Sequence, residues 1–476
     1  MMRTHIWALV ALLLVNCTAA NPVESDAIRG PQSALVDRVF AQFGGDTPGC
    51  AVAVDYRGAV VHMDGYGMAD LEQGIPIRPH SVFYSGSISK QVVAMAAMLL
   101  EHDGAIDLDA AVRTYLPSLP GYGDQISVRQ LLHHTSGIRD YFVLFRLAGR
   151  FSGAVITEDM INQILGQQRG LNFTPGEQYA YSNSAYFLVS QIVNVVDGRN
   201  LDGFAQARIF GPLQMTNSHF QHDHRRLIVN KAHGYSPQSD GAYLPDDSML
   251  DVVGSGGMYT SVHDLILWDR NFQDNALGGG QDLVDEMQTS GVLNSGAPTG
   301  YGLGLKLASY RGLQQVAHGG ALAGYRARLA RFPEQHFTVA VLCNSSAAKP
   351  AELANLVTEI YLGDLLADDE DLASDRQTDS QNKQLTVDAA ELAVFGGSYY
   401  SGEVDNTLVV EMVEGGLAIN GIDALRSNLV VFSETDIFHH SGIGFDLVFE
   451  RGGDQAITAL VYNGPRVSGL RFVKQP

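Results

Sequence analysis

The 476-residue chain carries 52 acidic against 31 basic side chains, a formal charge of −21, which excludes the basic surface that nucleic-acid binding needs. At 45% apolar and 17% charged residues it has the material for a sizeable core. Its length suits two domains, or one large domain with an appendage.

The chain opens with a targeting pattern. Arg3 gives a positive start, and Ile6 to Val15 form an apolar run too short to span a bilayer but suited to a secretory signal. Cleavage after Ala20 places Thr18 and Ala20 at the two selective positions, making residues 1–20 a signal peptide. Leu14-Val15-Asn16-Cys17 offers an alternative, a lipoprotein signal anchored through Cys17. Either way the protein is expected to be exported, periplasmic or secreted, with no transmembrane segment in the mature chain.

Ala34 to Phe43 reads as a helix, and Cys50–Asp55 and Gly58–Met63 as the two strands of a hairpin. Next comes Tyr84-Ser-Gly-Ser-Ile-Ser-Lys-Gln91, where the apolar run Val92–Leu100 begins a helix reaching His102. Ser87 and Lys90, three residues apart at a helix start, share one face. A desolvated, neutral lysine is one way to turn a serine into a nucleophile. With 32 serines and six lysines the chain holds two more Ser-x-x-Lys matches. Ser380–Lys383 lies in a polar, acidic stretch, and Lys349 of Ser346–Lys349 stands directly before Pro350, which disfavours helix there. Only Ser87–Lys90 has the helical setting.

Ile126–His134 reads as a helix capped by Ser127, and Glu158–Leu165, Ser184–Val196 and Leu201–Ile209 as further helices. Thr260-Ser261-x-x-Asp264 resembles a helix-start cap ahead of Leu265–Trp268. Strand character returns at Leu303–Leu307, Gln315–His318, Tyr325–Phe332 and Phe337–Leu342, followed by a helix from Pro350 to Leu366. Strands at both ends with helices between them imply an α/β (α+β) domain, a sheet flanked by helices plus a helical lobe, with a site in the cleft. Residues 366–384 are acidic and polar, a linker. Residues 385–476 alternate short β-like runs with glycine turns, as in a small antiparallel barrel or sandwich. Apart from Cys17 the chain has two cysteines, Cys50 and Cys343, in β-like runs. They fit buried thiols or a disulfide, and two isolated cysteines do not make a zinc site.

Two constellations accompany Ser87–Lys90. In Thr174-Pro-Gly-Glu-x-x-x-Tyr181-Ser-Asn183, a tyrosine can carry the serine's proton and Asn183 can orient both Lys90 and a substrate amide. The structural alternatives are a core tyrosine and an asparagine capping the next helix. In His318-Gly319-Gly320-Ala321, the glycines permit close approach of a substrate, and the Ala321 N–H can join that of Ser87 as an oxyanion hole. The alternative is a buried histidine before a turn.

In this order the residues resemble the penicillin-recognising serine hydrolases: class C β-lactamases, D-alanyl-D-alanine carboxypeptidases, D-aminopeptidases and related esterases. The resemblance covers about residues 30–365 and includes Leu131-Leu-His-His-Thr-Ser-Gly137, Pro175-Gly176 and Gly254-Ser-Gly-Gly-Met258. It implies a five-stranded antiparallel sheet and an all-helical lobe. Ser87 is the implied nucleophile, Lys90 and Tyr181 the proton-transfer pair, Asn183 the orienting amide, and His318-Gly319-Gly320 the third motif. The C-terminal region is similar to lipocalin-like barrels appended to some members. The third motif departs from the lysine–hydroxyl–glycine form of β-lactamases and carboxypeptidases, which moves the expectation towards an amidase, peptidase or esterase. Arg326 and Arg328 can supply the missing cation, and strand alternation leaves open which of them faces the site. The expected activity is acyl-enzyme hydrolysis of an amide or ester, on a D-amino-acid peptide, an amide or an ester, with no metal or other cofactor. The alternatives are a β-lactamase or D-alanyl-D-alanine carboxypeptidase, and a non-catalytic sensor or scaffold. The partner is a small-molecule or peptide substrate, and the sequence leaves the oligomeric state open.

Overall fold

Seven antiparallel strands form the central sheet of the computed structural model, which describes residues 27–368, 392–413, 416–423, 429–440, 442 and 444–476. In chain order they are β1 (Ile28–Arg29), β2 (Cys50–Tyr56), β3 (Ala59–Tyr66), β4 (Lys306–Tyr310), β5 (Leu313–Leu322), β6 (Tyr325–Phe332) and β7 (Phe337–Cys343). They lie side by side as β1-β3-β2-β7-β6-β5-β4. The resemblance implied five strands; the long ones are β2, β3, β5, β6 and β7, while β1 and β4 extend the two edges to seven, β4 running over Lys306–Tyr310 rather than the expected Leu303–Leu307. N-terminal and C-terminal strands meet where β2 pairs with β7, which sets Cys50 opposite Cys343 and joins them in a fully buried disulfide.

Alternation sorts the sheet's side chains into two cores. Val52, Val54, Val339 and Val341 face α1 (Ser33–Phe40) and α7 (Pro350–Leu362). Ala51, Ala53, Ala340 and Leu342 face the helical lobe. That lobe is built around α2 (Ser89–His102), which is buried on every side from Ser89 to Leu100 and packs on α5 (Asn183–Asp197). The expected caps hold. Ser127 accepts from Gln130 N–H in a full capping box on α3 (Val128–Leu132). Ser261 accepts from Asp264 N–H at the start of α6 (Val262–Asp274). Asp140 caps α4 (Tyr141–Leu147).

The C-terminal region is a closed eight-stranded barrel: β8 (Gly397–Ser401), β9 (Asn406–Val413), β10 (Gly416–Asn420), β11 (Leu429–Glu434), β12 (Ile437–His440), β13 (Phe445–Arg451), β14 (Ile457–Asn463) and β15 (Leu470–Lys474). Buried apolar side chains such as Leu408, Phe438, Leu447 and Phe472 pack it. It docks on the helical lobe through Arg139, whose guanidinium donates to Glu403 at 2.8 Å and to the Ser468 and Gly469 carbonyls. The expected signal peptide, residues 1–20, and most of the expected linker, 366–384, lie outside the described residues. No described helix is long and apolar enough to cross a membrane.

Candidate active site

Ser87 sits in a short 3₁₀ turn, Gly86–Ile88, directly before α2 rather than within its first α-helical turn. Gly86 enters the turn with a left-handed backbone at φ 56°, and a Cβ there would lie 2.7 Å from the Ala321 nitrogen, so the position requires glycine. Ser87 and Lys90 face each other across the junction of this turn with α2, and Lys90 Nζ stands 3.1 Å from Ser87 Oγ. The two decoys fall away. Lys349 is exposed and pairs with Glu352 at 3.0 Å, and Ser380–Lys383 lies outside the described residues.

Lys90 is fully buried. Its Nζ donates to Asn183 Oδ1 at 2.9 Å and to the Ser255 carbonyl at 2.5 Å. Burial pulls its pKa well below the ordinary lysine value; Asp140 opposes this, and Arg466 adds to it. A neutral amine has two N–H donors and one lone pair. In that state both donors meet pure acceptors and the lone pair faces the Ser87 hydroxyl, whereas an ammonium donates to Ser87 Oγ as well. Asn183 is the first residue of α5 and does not cap it. Instead its Nδ2 donates to Asp140 Oδ2 at 2.8 Å, which fixes Oδ1 towards Lys90.

Tyr181 completes the group: its hydroxyl hydrogen-bonds with Ser87. Burial raises its pKa, with Ser87 and the Arg466 cation acting against the rise, so the resting group is a phenol. Its ring centroid is 4.3 Å from that of His134, whose Nδ1 accepts from Ser182 N–H at 3.2 Å. This gives the Leu131–Gly137 stretch a job, holding the loop that carries Tyr181.

β5 forms the opposite wall. Gly86 and Gly320 meet so closely that a Cβ on Gly320 would lie 1.9 Å from the Ser85 carbonyl oxygen. Leu322 and Tyr325 close a two-residue hairpin as directly paired residues, so Ala321 opposite Arg326 is a non-hydrogen-bonded pair. The Ala321 N–H therefore points away from β6, to a stretch of β5 that β4 leaves uncovered beyond Ala317. Ser87 and Ala321 amides thus border the same cavity, about 690 Å³ in volume, with Tyr181, Asn183, His318 and Gly319.

His318 is buried, and its Nδ1 donates to the Gly319 carbonyl at 2.7 Å while Nε2 accepts from the Tyr301 hydroxyl at 3.0 Å. Burial first, then the nearby Lys90, pull its pKa down to about 3. It is a neutral hydrogen-bonding group at physiological pH and cannot replace a lysine cation. The question of Arg326 and Arg328 is resolved by direction: Arg326 donates to the Ala323 and Tyr325 carbonyls of the hairpin, whereas Arg328 lines the cavity.

Three participants were not assigned roles from sequence. Asp140 was legible in principle, as an Asp directly before the apolar run Tyr141–Leu144. Ser255 lies in the glycine-rich Gly254–Met258 stretch, but its contribution is a backbone carbonyl, which no side-chain motif reports. Arg466 comes from the loop between β14 and β15 of the barrel, and its guanidinium stands 4.9 Å over the Tyr181 ring. Its carbonyl accepts from Asp140 N–H at 3.1 Å and from Asn172 Nδ2 at 3.0 Å, tying that loop to the site.

Comparison with known proteins agrees with this geometry. The Beta-lactamase family model matches residues 36–362. A D-aminopeptidase of Gluconobacter oxydans is 29% identical over 335 residues, covering 70% of this chain and 62% of that protein, so the match spans about three fifths of the relative's length. Among solved structures, the octameric penicillin-binding protein homologue from Pyrococcus abyssi superposes with a TM-score of 0.62 at 22% identity, over 93% of this chain and 99% of its own. The D-amino acid amidase from Ochrobactrum anthropi superposes at 0.56 and 22% identity, over 70% and 98%.

Proposed function

The chain belongs to the beta-lactamase family, and on that premise we propose that it is a serine hydrolase that cleaves amide bonds of D-amino-acid peptides or amides through an acyl-enzyme. The observation that carries the reading is the fully buried Lys90 amine 3.1 Å from Ser87 Oγ, its pKa pulled well below the ordinary lysine value by burial. The D-aminopeptidase and D-amino acid amidase among its relatives support the substrate class.

In the first step Lys90 takes the Ser87 proton as Oγ attacks the carbonyl carbon. The N–H groups of Ser87 and Ala321 hold the oxyanion. Tyr181, bonded to Ser87 as a phenol, hands its proton to the leaving nitrogen, and the Lys90 ammonium restores it. Water then attacks the ester, its proton going to the same pair, and Ser87 leaves reprotonated. Asn183 holds Lys90 and offers its amide to the substrate. No step draws on a metal or other cofactor.

The N-terminal apolar run and the buried Cys50–Cys343 disulfide support an exported location.

Labelling with a fluorophosphonate or a fluorescent penicillin tests the nucleophile. The parent protein is expected to label and Ser87→Ala to stay dark; labelling that persists in Ser87→Ala removes Ser87 from the role. A burst of p-nitrophenol from a short-chain ester separates an acylating enzyme from a binding protein on the same fold. Parallel turnover of nitrocefin, D-Ala-D-Ala peptides, D-amino-acid amides and p-nitrophenyl esters ranks substrates, and dominant nitrocefin turnover would reassign the protein as a β-lactamase.

A further inference from the structure

Tyr181 has a task that its surroundings resist. To protonate the leaving nitrogen it must pass through the phenolate, and burial disfavours that anion before anything else does. The groups facing its ring decide how steep that step is. His134 and His318, with ring centroids 4.3 and 6.2 Å away, are both held neutral by burial. Tyr179 and Tyr301 are phenols kept so by burial, and Asp140 opposes a second negative charge. Lys90, its Nζ 5.0 Å from the ring centroid, offers a cation only while it holds the Ser87 proton. It faces the same Asp140, His134 and His318, and Tyr186 at 5.6 Å. That leaves Arg466, at the mouth of the cavity, whose guanidinium from the barrel stands 4.9 Å over the Tyr181 ring. A guanidinium keeps its charge through the whole cycle.

The main chain fixes the loop that carries it, residues 464–469 between β14 and β15. The Arg466 carbonyl accepts from Asp140 N–H at 3.1 Å and from Asn172 Nδ2 at 3.0 Å. Ser468 N–H donates to Asn172 Oδ1 at 2.8 Å, and Val467 is fully buried. The guanidinium itself is exposed and makes no ion pair or hydrogen bond among the described residues, so docking does not account for where it stands. Asp140 joins this loop to the base, because its carboxylate holds Asn183 and Asn183 Oδ1 meets Lys90 Nζ. A cation over an aromatic face is attracted by the ring, and more strongly once the ring carries the charge of a phenolate. The same charge works against an ammonium at Lys90.

We propose that Arg466 is a positioning residue for proton transfer, a fixed charge from the barrel that favours the phenolate at Tyr181 and opposes the ammonium at Lys90. No extra proton enters the cycle. Ser87 gives its proton to Lys90, Tyr181 gives its own to the leaving nitrogen, and Lys90 returns one to Tyr181. The inference rests on the hydrolase reading, but the action on the pair can also be read without turnover.

The test compares two leaving groups on one acyl group, D-alaninamide and D-alanine p-nitrophenyl ester, neither of which carries a carboxylate. Ammonia cannot leave without a proton, whereas p-nitrophenolate can. In Arg466→Gln the ratio of kcat/KM for the amide to that for the ester should fall roughly threefold to thirtyfold, the range of a cation–π contact. Arg466→Lys should restore much of the ratio, and added salt should lower it in the parent but not in Arg466→Gln. The acid limb of kcat/KM should move to higher pH in Arg466→Gln, because Lys90 loses a neighbour that opposes its protonation. An unchanged ratio overturns the proposal. Equal losses on amide and ester with an unmoved acid limb also overturn it, leaving Arg466 a structural contact. An NMR titration of labelled Lys90 reads the same charge with no substrate present, and its midpoint should rise in Arg466→Gln. Should the parent give neither a p-nitrophenol burst nor amide turnover, the hydrolase reading falls, and a Lys90 midpoint equal in both proteins would overturn the role of Arg466 separately.

Discussion

The deep wall of the site and its mouth use the same kind of side chain to opposite ends. Lys90 is fully buried, within 2.5–3.1 Å of Ser87 Oγ, Asn183 Oδ1 and the Ser255 carbonyl, and burial holds its pKa well below the ordinary lysine value. Arg466 and Lys306 stand exposed at the rim and make no ion pair among the described residues. Burial disfavours a charge in the wall, whereas water at the rim preserves it. His318 belongs to the wall by this measure, neutral and hydrogen-bonded at both nitrogens.

The largest expected effect strikes the wall. Lys90→Arg keeps a cation but cannot supply a neutral base. It should lower kcat/KM roughly ten-thousandfold, as loss of one member of a nucleophile–base unit does. A variant that retained most of its activity would show that the positive charge, not the lone pair, matters. Next is Gly320→Ala, whose methyl meets the Ser85 carbonyl and pushes β5 from the Ser87 turn. Loss of one oxyanion donor predicts a fall of about a hundredfold to a thousandfold in kcat.

The joint between wall and mouth comes third. Arg139–Glu403 is a nearly buried pair, 5% and 12% exposed, that fastens the barrel and with it Arg466. Arg139→Met leaves Glu403 without its cation and should cost about 3 kcal/mol, read as a lower Tm. The nearby Arg150–Asp405 pair, 43% and 57% exposed, joins the same two regions, and Arg150→Ala should cost about 0.5 kcal/mol or less. Similar losses from both would show that burial does not set the strength of the joint.

The two titrating groups of the wall give a pH test. Lys90 is active when neutral, and its lowered pKa means the acid limb of kcat/KM, where the amine is protonated, should lie well below the ordinary lysine range. His318, at about 3, should add no limb near the ordinary histidine range. Nitrogen NMR should find it neutral, with the proton on Nδ1, well below pH 6. A His318 titration near 6.5 would return it to the mouth as a switchable cation.

Much of this site was legible in the chain because its signals are local. Ser87–Lys90 is a spacing of one helical turn at a helix start, Ser127 and Ser261 are caps within three residues of their partners, and the barrel strands are short runs between glycine turns. The family pattern added Tyr181, Asn183 and His318-Gly319-Gly320. What the sequence could not set is whatever depends on which surfaces meet. The Cys50–Cys343 pairing exists because β2 and β7 are neighbours, and the Ser255 carbonyl reaches Lys90 by backbone position alone. Arg328 rather than Arg326 lines the cavity because the hairpin carbonyls hold Arg326. Neutral His318 is a product of burial, and Arg466 reaches Tyr181 only because the barrel docks against Arg139. Sequence determined the reacting groups through short-range geometry; tertiary structure decided their charge and company, because desolvation and ion pairing depend on the packing of the whole chain.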